Sequence, residues 1–388
     1  AEWKAPEVTD VTVDVAEVEQ TAFLQRMLGT LNICSKEYII RQYDHEVRGG
    51  SVVKPLVGVK RDGPADAGVI RPLLESDAGL VISHGICPKF SDADTYWMMA
   101  NAIDEAVRNA VAVGADPARL AGVDNFCWCD PVQSDKTPDG RYKLAQLVRA
   151  CKALQQFCLG FGVPCVSGKD SMKNDYTGGG AKISIPPTVL FSILGVIPDV
   201  NLAVTSDFKQ AGDAIYLLGM TGNELAGSEL AAELGLAGGA VPQVDLLRAR
   251  ERYFLVHEAV KAGLINACHD LSDGGLAVAL AEMALAGRLG GRINLDRVPS
   301  RGLGAADGRV DSLTSLLYAE SASRLLVTVP RDKALTFQEM FKASLGFDAA
   351  LIGNVSDAQS LILTSNDTIV LESPVNTLAQ AFKATLNW

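Results

Sequence analysis

Several short stretches of this chain carry side chains that could do chemistry. Glu105 and Asn109 stand four residues apart inside an apolar-periodic run, so they fall on one face of a helix. A carboxylate and an amide oxygen placed together suit a hard cation such as Mg2+, which takes oxygen ligands and leaves positions for water and phosphate. The same spacing also suits a solvated helix face. Asp104, the neighbour of Glu105, points elsewhere. In Pro64-Ala65-Asp66-Ala67-Gly68 a single Asp stands at the mouth of a strand between small residues, a position that a turn-forming Asp would also take. Val166-Ser167-Gly168-Lys169-Asp170-Ser171 follows a strand and offers a Gly, a Lys and hydroxyls. Backbone N–H groups at such a bend, with the ammonium, can hold phosphate. It lacks the GxxxxGK[ST] spacing of a P-loop, and an ordinary loop fits as well. His269-Asp270-Leu271-Ser272-Asp273-Gly274-Gly275-Leu276 lies between a short strand and a helix. Its Asp, Ser and Gly residues at a helix start can bind metal and phosphate together, or simply cap the helix. Asp124-Asn125-Phe126 ends another strand, where ligands of α/β folds gather.

The elements that must position these groups follow from periodicity. Apolar residues at helical spacing predict a leading helix over Thr21–Leu31, with Phe23, Leu24, Met27, Leu28 and Leu31 on one peripheral face. Further helices are predicted over Asp94–Val113, capped by Asp94 or Thr95, and over Leu144–Gly160, Ser228–Leu234, Leu246–Ala262 and Gly275–Gly287. Strands are predicted within Ser51–Val59 and over Gly68–Ile70, Gly79–Ser83, Leu120–Phe126, Val163–Ser167 and Thr188–Val196. Later strands fall at Ala214–Leu218, Ile265–His269, Leu325–Pro330 and Ala350–Asn354. A composition seam at Val200–Gly212 divides the chain into a helical leader, 1–39, and two units, 40–203 and 204–388. Alternating strands and helices argue an α/β or α+β fold.

Composition narrows the function. With 388 residues, 48% hydrophobic and 21% charged, the chain is globular and long enough for two cores. It carries 46 acidic against 35 basic residues, a net charge of −11, which argues against nucleic acid as a partner and asks for a local site to hold an anionic substrate. No run of about 18 apolar residues predicts a membrane span. The start, Ala1 to Pro6, shows no secretory signal, and its lack of an initiator Met reads as a fragment. Eight Cys without paired CxxC spacing read as buried reduced thiols of a cytoplasmic protein, and four His, none near the Cys pairs, argue against zinc.

Four motifs occur together in order: Gln42-Tyr43-Asp44-His45-Glu46-Val47, Glu105-Ala-Val-Arg-Asn109-Ala-Val, Ser167-Gly-Lys-Asp-Ser171-Met and His269-Asp-Leu-Ser-Asp-Gly-Gly275-Leu. In this combination the chain, from about Thr21 to its end, resembles the C-terminal half of the phosphoribosylformylglycinamidine synthase family, within the aminoimidazole ribonucleotide synthetase-like superfamily. The resemblance implies a two-domain unit. Its N-terminal α/β domain has a barrel-forming sheet that pairs with another copy, and its C-terminal α+β domain has a sheet covered by helices. The implied reaction is ATP-dependent amidation in purine biosynthesis, in which the formyl amide oxygen of formylglycinamide ribonucleotide is phosphorylated and ammonia from glutamine displaces phosphate.

Residue by residue, the resemblance implies Asp66, Glu105, Asn109 and Asp270 as Mg2+ ligands of the second-half nucleotide site, with Ala65 and Ser272 touching ATP or ADP. Shorter members of the family match Asp124 and Gly168 to ATP contacts and Ser171 to a substrate contact. Lys169 replaces their metal-binding Asn; a charged Lys cannot ligate Mg2+ and reads as a phosphate contact. The paired-His catalytic segment of the first half has no counterpart in Ser83-His84-Gly85-Ile86-Cys87-Pro88, so His84 reads as structural and no catalytic residue is assigned. Catalysis then depends on the N-terminal half of the synthase and on a glutaminase domain or subunit supplying ammonia, and an isolated half could form a homodimer. Two alternatives are a structural nucleotide-binding module and a self-sufficient ATP-using relative such as aminoimidazole ribonucleotide synthetase.

Overall fold

The computed structural model describes residues 1–5, 19–43, 46–301, 312–345 and 349–388. Asp44 and His45 of the first motif lie outside them. The architecture is mixed α/β, built on two large sheets. The first has six strands, ordered Ser51–Val53, Gly68–Ile70, Gly79–Ile86, Thr188–Ile197, Leu120–Cys127 and Cys165–Ser171. Only its last pair is parallel. Strand Gly79–Ile86 alternates strictly: Val81, Ser83 and Gly85 face inward, while Leu80, Ile82, His84 and Ile86 face out.

Against the inner face lies helix Thr95–Ala112, capped by Asp94, whose side chain accepts from the Tyr96 N–H at 2.9 Å. Met98, Ala102, Ile103, Ala106 and Ala110 make its buried stripe, but Met99, Val107 and Val111 are buried too. The helix is covered on both sides, by this sheet and by helix Leu246–Lys261 with strand Ala267–Asp270. That is why burial runs almost all round it and takes in the polar Asn101, Asp104, Arg108 and Asn109.

The second sheet has seven strands, ordered Ala267–Asp270, Leu325–Val329, Ala214–Leu218, Ala349–Ser356, Gly290–Asn294, Ser360–Ser365 and Thr368–Pro374. Its central strands are apolar without alternation because both faces are buried. Tyr216, Leu218, Leu325 and Val327 belong to one core with helix Thr95–Ala112; Ile215, Leu217 and Leu326 belong to another, around helix Gly275–Gly287.

Several sequence expectations need correction. The Ser51–Val59 region forms two short strands, Ser51–Val53 and Leu56–Val57, because Pro55 cannot donate to a ladder. The leading helix is Gln20–Leu28, leaving Leu31 outside it and 68% exposed. It is not peripheral: Phe23, Leu24, Met27 and Leu28 are buried against helices Gly275–Gly287 and Val375–Ala384. The expectation of buried thiols holds for Cys34, Cys129 and Cys268, whereas Cys151 and Cys165 are exposed; all eight Cys are free. Strands Gly290–Asn294, Ser360–Ser365 and Thr368–Pro374, and helices Ala334–Leu345 and Val375–Ala384, were not expected from periodicity. No helix among the described residues is long and apolar enough to cross a membrane.

Candidate functional site

The fold brings two of the four motifs, together with the stretch 64–68, to one cavity of about 520 Å3, a size suited to a small ligand. Helix Thr95–Ala112 contributes Glu105 and Asn109, the connection after Gly63–Pro64 contributes Ala65 and Asp66, and the end of strand Ala267–Asp270 contributes Asp270 and then Ser272. All six residues line the cavity. The leader closes one side with Asn32–Lys36, and Ile33, Ile40 and Leu56 supply an apolar patch.

Close packing sets Glu105 in place. A Cβ on Gly85 would stand 2.1 Å from the Ala102 carbonyl oxygen and 2.8 Å from Glu105 Cβ, so only Gly lets the helix lie this near the strand. Glu105 Oε2 then accepts from the Ile86 N–H at 2.9 Å and from the Cys87 thiol at 3.4 Å. Burial, with the charge of Asp270 adding to it, pushes the Glu105 pKa up to about 8. One turn on, Asn109 donates from Nδ2 to the His84 carbonyl at 3.2 Å. Its Oδ1 is buried without a hydrogen-bond partner among the described residues.

Asp66 shows the same half-satisfied state. Its side chain is 1% exposed. Oδ1 accepts from the Asp270 N–H at 2.9 Å and faces His269 Nδ1 at 2.8 Å, while Oδ2 is buried and unpartnered among the described residues. Each such buried oxygen calls for an explanation, and these two belong to residues that line one cavity. Asp66, His269 and Asp270 offer ligand atoms within 4.8 Å of one another.

Sequence reasoning gave no role to three groups that shape this site. Arg108, 4% exposed, donates from Nη1 to Asp104 Oδ2 at 2.6 Å and from Nη2 to Ser272 Oγ at 2.8 Å and Asp270 Oδ2 at 3.3 Å. Asp104 indeed points away from the cavity: it accepts from Tyr253 and Ser323 as well as Arg108. His269 bridges Asp66 and Glu282. Burial opposes its charge, but Asp66 and then Glu282 outweigh burial and hold its pKa well above the ordinary value. The signal for Arg108 and His269 was present, since both sit inside quoted motifs; Glu282 had none, standing in an otherwise small and apolar helix.

The other predicted residues lie outside this cavity. Asp124 and Gly168 face each other across the parallel pair Leu120–Cys127 and Cys165–Ser171, at the edge of the first sheet. A Cβ on Gly168 would come within 2.9 Å of Asp124 Oδ1, so the carboxylate lies over the glycine backbone. Burial raises the Asp124 pKa. Lys169 is exposed and donates to Ser171 Oγ at 2.8 Å. His84 projects from the open face of the sheet at the cavity wall.

This architecture is matched by two domain models of one family. The N-terminal domain of AIR synthase related proteins matches residues 64–197 and the C-terminal domain of the same family matches residues 210–366. The phosphoribosylformylglycinamidine synthase subunit PurL of Anaeromyxobacter sp. strain K is 34% identical over 377 residues, covering 93% of this chain and 44% of the relative. The subunit PurL of Thermococcus sibiricus is 32% identical over 371 residues, covering 95% and 47%. The chain therefore spans a little under half the length of these curated relatives. Among solved structures, PurLQS from Thermotoga maritima has a TM-score of 0.66 at 21% identity, covering 93% of this chain and 52% of that one. T. maritima PurL complexed with ADP has a TM-score of 0.63 at 22% identity, covering 88% and 49%. At these identities the solved structures establish a shared fold.

Proposed function

The chain belongs to the AIR synthase related family, and we propose that it serves as the second half of a phosphoribosylformylglycinamidine synthase, holding adenine nucleotide with Mg2+ in the Glu105–Asp270 cavity. The observation that carries this reading is the pair of buried oxygens without partners among the described residues, Asp66 Oδ2 and Asn109 Oδ1, on residues that line one cavity with Glu105 and Asp270. The oxygen-only donor set suits Mg2+. In this reading Asp66, Glu105, Asn109 and Asp270 hold the cation. Ala65 and the Ser272 hydroxyl meet the nucleotide, and Arg108 keeps Ser272 and Asp270 in register. Bound Mg2+ would neutralise phosphate charge, which lets a chain of net charge −11 hold a polyanion.

The reading extends to partners. Asp124, Gly168, Lys169 and Ser171 stand apart from the cavity at an open sheet edge. We assign Asp124 and Gly168 to ATP, Lys169 to phosphate and Ser171 to substrate in a centre completed by the N-terminal half of the same synthase. The outer face of the first sheet supports such a partner: Leu80, Ile82, Ile86 and Leu194 are 38–48% exposed side by side. The full reaction is then glutamine- and ATP-dependent amidation in the cytoplasm, with ammonia supplied by a glutaminase domain or subunit, and this half is inactive by itself. A homodimer through the same face would form when the partner half is absent. Residues 1–39, 40–203 and 204–388 serve in this scheme as leader and as the two synthetase-like domains.

Calorimetry tests the core of the reading. ADP with Mg2+ should bind at one site per chain, and Glu105→Ala should abolish the Mg2+-dependent part of the affinity. Absence of heat for the unaltered chain, with or without Mg2+, sinks the assignment.

A further inference from the structure

One buried imidazole stands in the cavity wall. His269 is 5% exposed, with Nδ1 2.8 Å from Asp66 Oδ1 and Nε2 3.0 Å from Glu282 Oε2. The Asp270 N–H reaches the same Asp66 oxygen at 2.9 Å. The Asp270 N–H and the His269 ring thus converge on Oδ1, whereas Oδ2, on a residue that lines the cavity, is buried and without a partner among the described residues. A lone carboxylate can swing about its last torsion, which is broad. Two donors on one oxygen remove that freedom and fix which oxygen is presented.

Glu282 explains why the ring donates to Asp66. It projects from helix Gly275–Gly287, whose neighbouring residues are buried and apolar, and its carboxylate meets His269 at the cavity that both residues line. With both ring nitrogens held on carboxylate oxygens, the ring orientation is set, and an Nδ1–H in that orientation points at Asp66 Oδ1. Groups that do not touch a metal but orient its ligands act in this way, and their loss costs about 10–100-fold in metal affinity.

We propose that His269, braced by Glu282, is a positioning residue that holds Asp66 with Oδ2 presented to the cation of the nucleotide site. The inference rests on the reading of that cavity as a site for Mg2+ and nucleotide. The ring itself stays outside the coordination sphere.

The test is ADP binding by calorimetry with and without Mg2+, on the whole chain. For His269→Ala the gain in affinity conferred by Mg2+ should shrink about 10–100-fold, while ADP binding without metal stays near that of the unaltered chain. His269→Asn, whose side-chain amide can sit where Nδ1 does and donate to Asp66, should restore most of the gain. It also serves if the alanine variant fails to fold. An undiminished or increased Mg2+ gain in the alanine variant overturns the proposal, and so does an equal loss with and without metal, which would mark a purely structural role. If the unaltered chain binds ADP but shows no Mg2+ gain, the cation reading of the site and this inference fall together.

Discussion

Glu105 makes the sharpest statement at the scale of single residues. Its pKa is raised to about 8 by burial and by Asp270, so the folded chain takes up a proton between the unfolded carboxyl value near 4.3 and 8. Stability from this group is therefore greatest below the unfolded pKa and is lost as pH rises toward 8. In the nucleotide-free chain, Glu105→Gln should raise the melting temperature relative to the unaltered chain, with the difference growing from pH 5 to pH 8; a difference flat in pH contradicts the shift. Cation binding needs the carboxylate, so at pH 7 Mg2+–ADP should release about one proton per site. Calorimetry in buffers of different ionisation enthalpy measures that release. Arg108 carries a second prediction. Its pairing partner Asp104 is fully buried, and removing one member of a buried pair costs about 3–5 kcal/mol. Arg108→Met should show that loss in a denaturant melt, together with weaker ADP binding through the freed Ser272.

At the scale of elements, the site depends on how closely helix Thr95–Ala112 approaches strand Gly79–Ile86. Gly85→Ala would put a methyl group 2.1 Å from the Ala102 carbonyl oxygen. Helix and strand must part, at roughly 1–3 kcal/mol for an overpacked contact, and Glu105 moves with the helix. The expected result is a lower denaturation midpoint together with weaker Mg2+-dependent ADP binding. Normal binding in a destabilised variant would show that the approach serves packing alone. Helices such as Thr95–Ala112 and Gly275–Gly287 were legible from their apolar residues. The late strands were not: Ser360–Ser365 and Thr368–Pro374 form a hairpin whose turn holds Asn366 and Asp367 at φ of 48° and 57°. Positive φ at both central residues is the pattern of a type I′ turn, which closes tight hairpins, and its signal lies in two residues rather than in a repeat.

For the whole molecule, the uncovered face of the first sheet is the feature with consequences. Leu80, Ile82, Ile86 and Leu194 form an apolar patch on one side of a sheet whose other side packs on helix Thr95–Ala112. Replacing Ile82 and Leu194 together with Glu should leave the melting temperature nearly unchanged, because both side chains are exposed. It should abolish association with a separately produced first half, and any self-association, as read by light scattering after size exclusion. Persistent association of the double variant would place the interface elsewhere.

The sequence alone determined the family and the strongly periodic helices. Glu105 and Asn109 had to share a face because a helix repeats every 3.6 residues, and the ordered motifs identified the family to which the fold belongs. Proximity was a different matter. Asp66 and His269 are 203 residues apart, yet their side chains touch, and the spacing of residues along a chain carries no information about such a contact. Nor could composition foretell that Asp124, Gly168 and Lys169 would stand outside the cavity, that Glu282 would line it, or that Arg108 would be buried beside it. Those outcomes follow from packing two sheets on either side of one buried helix, which settles which carboxylates keep a free oxygen and which are neutralised by their neighbours.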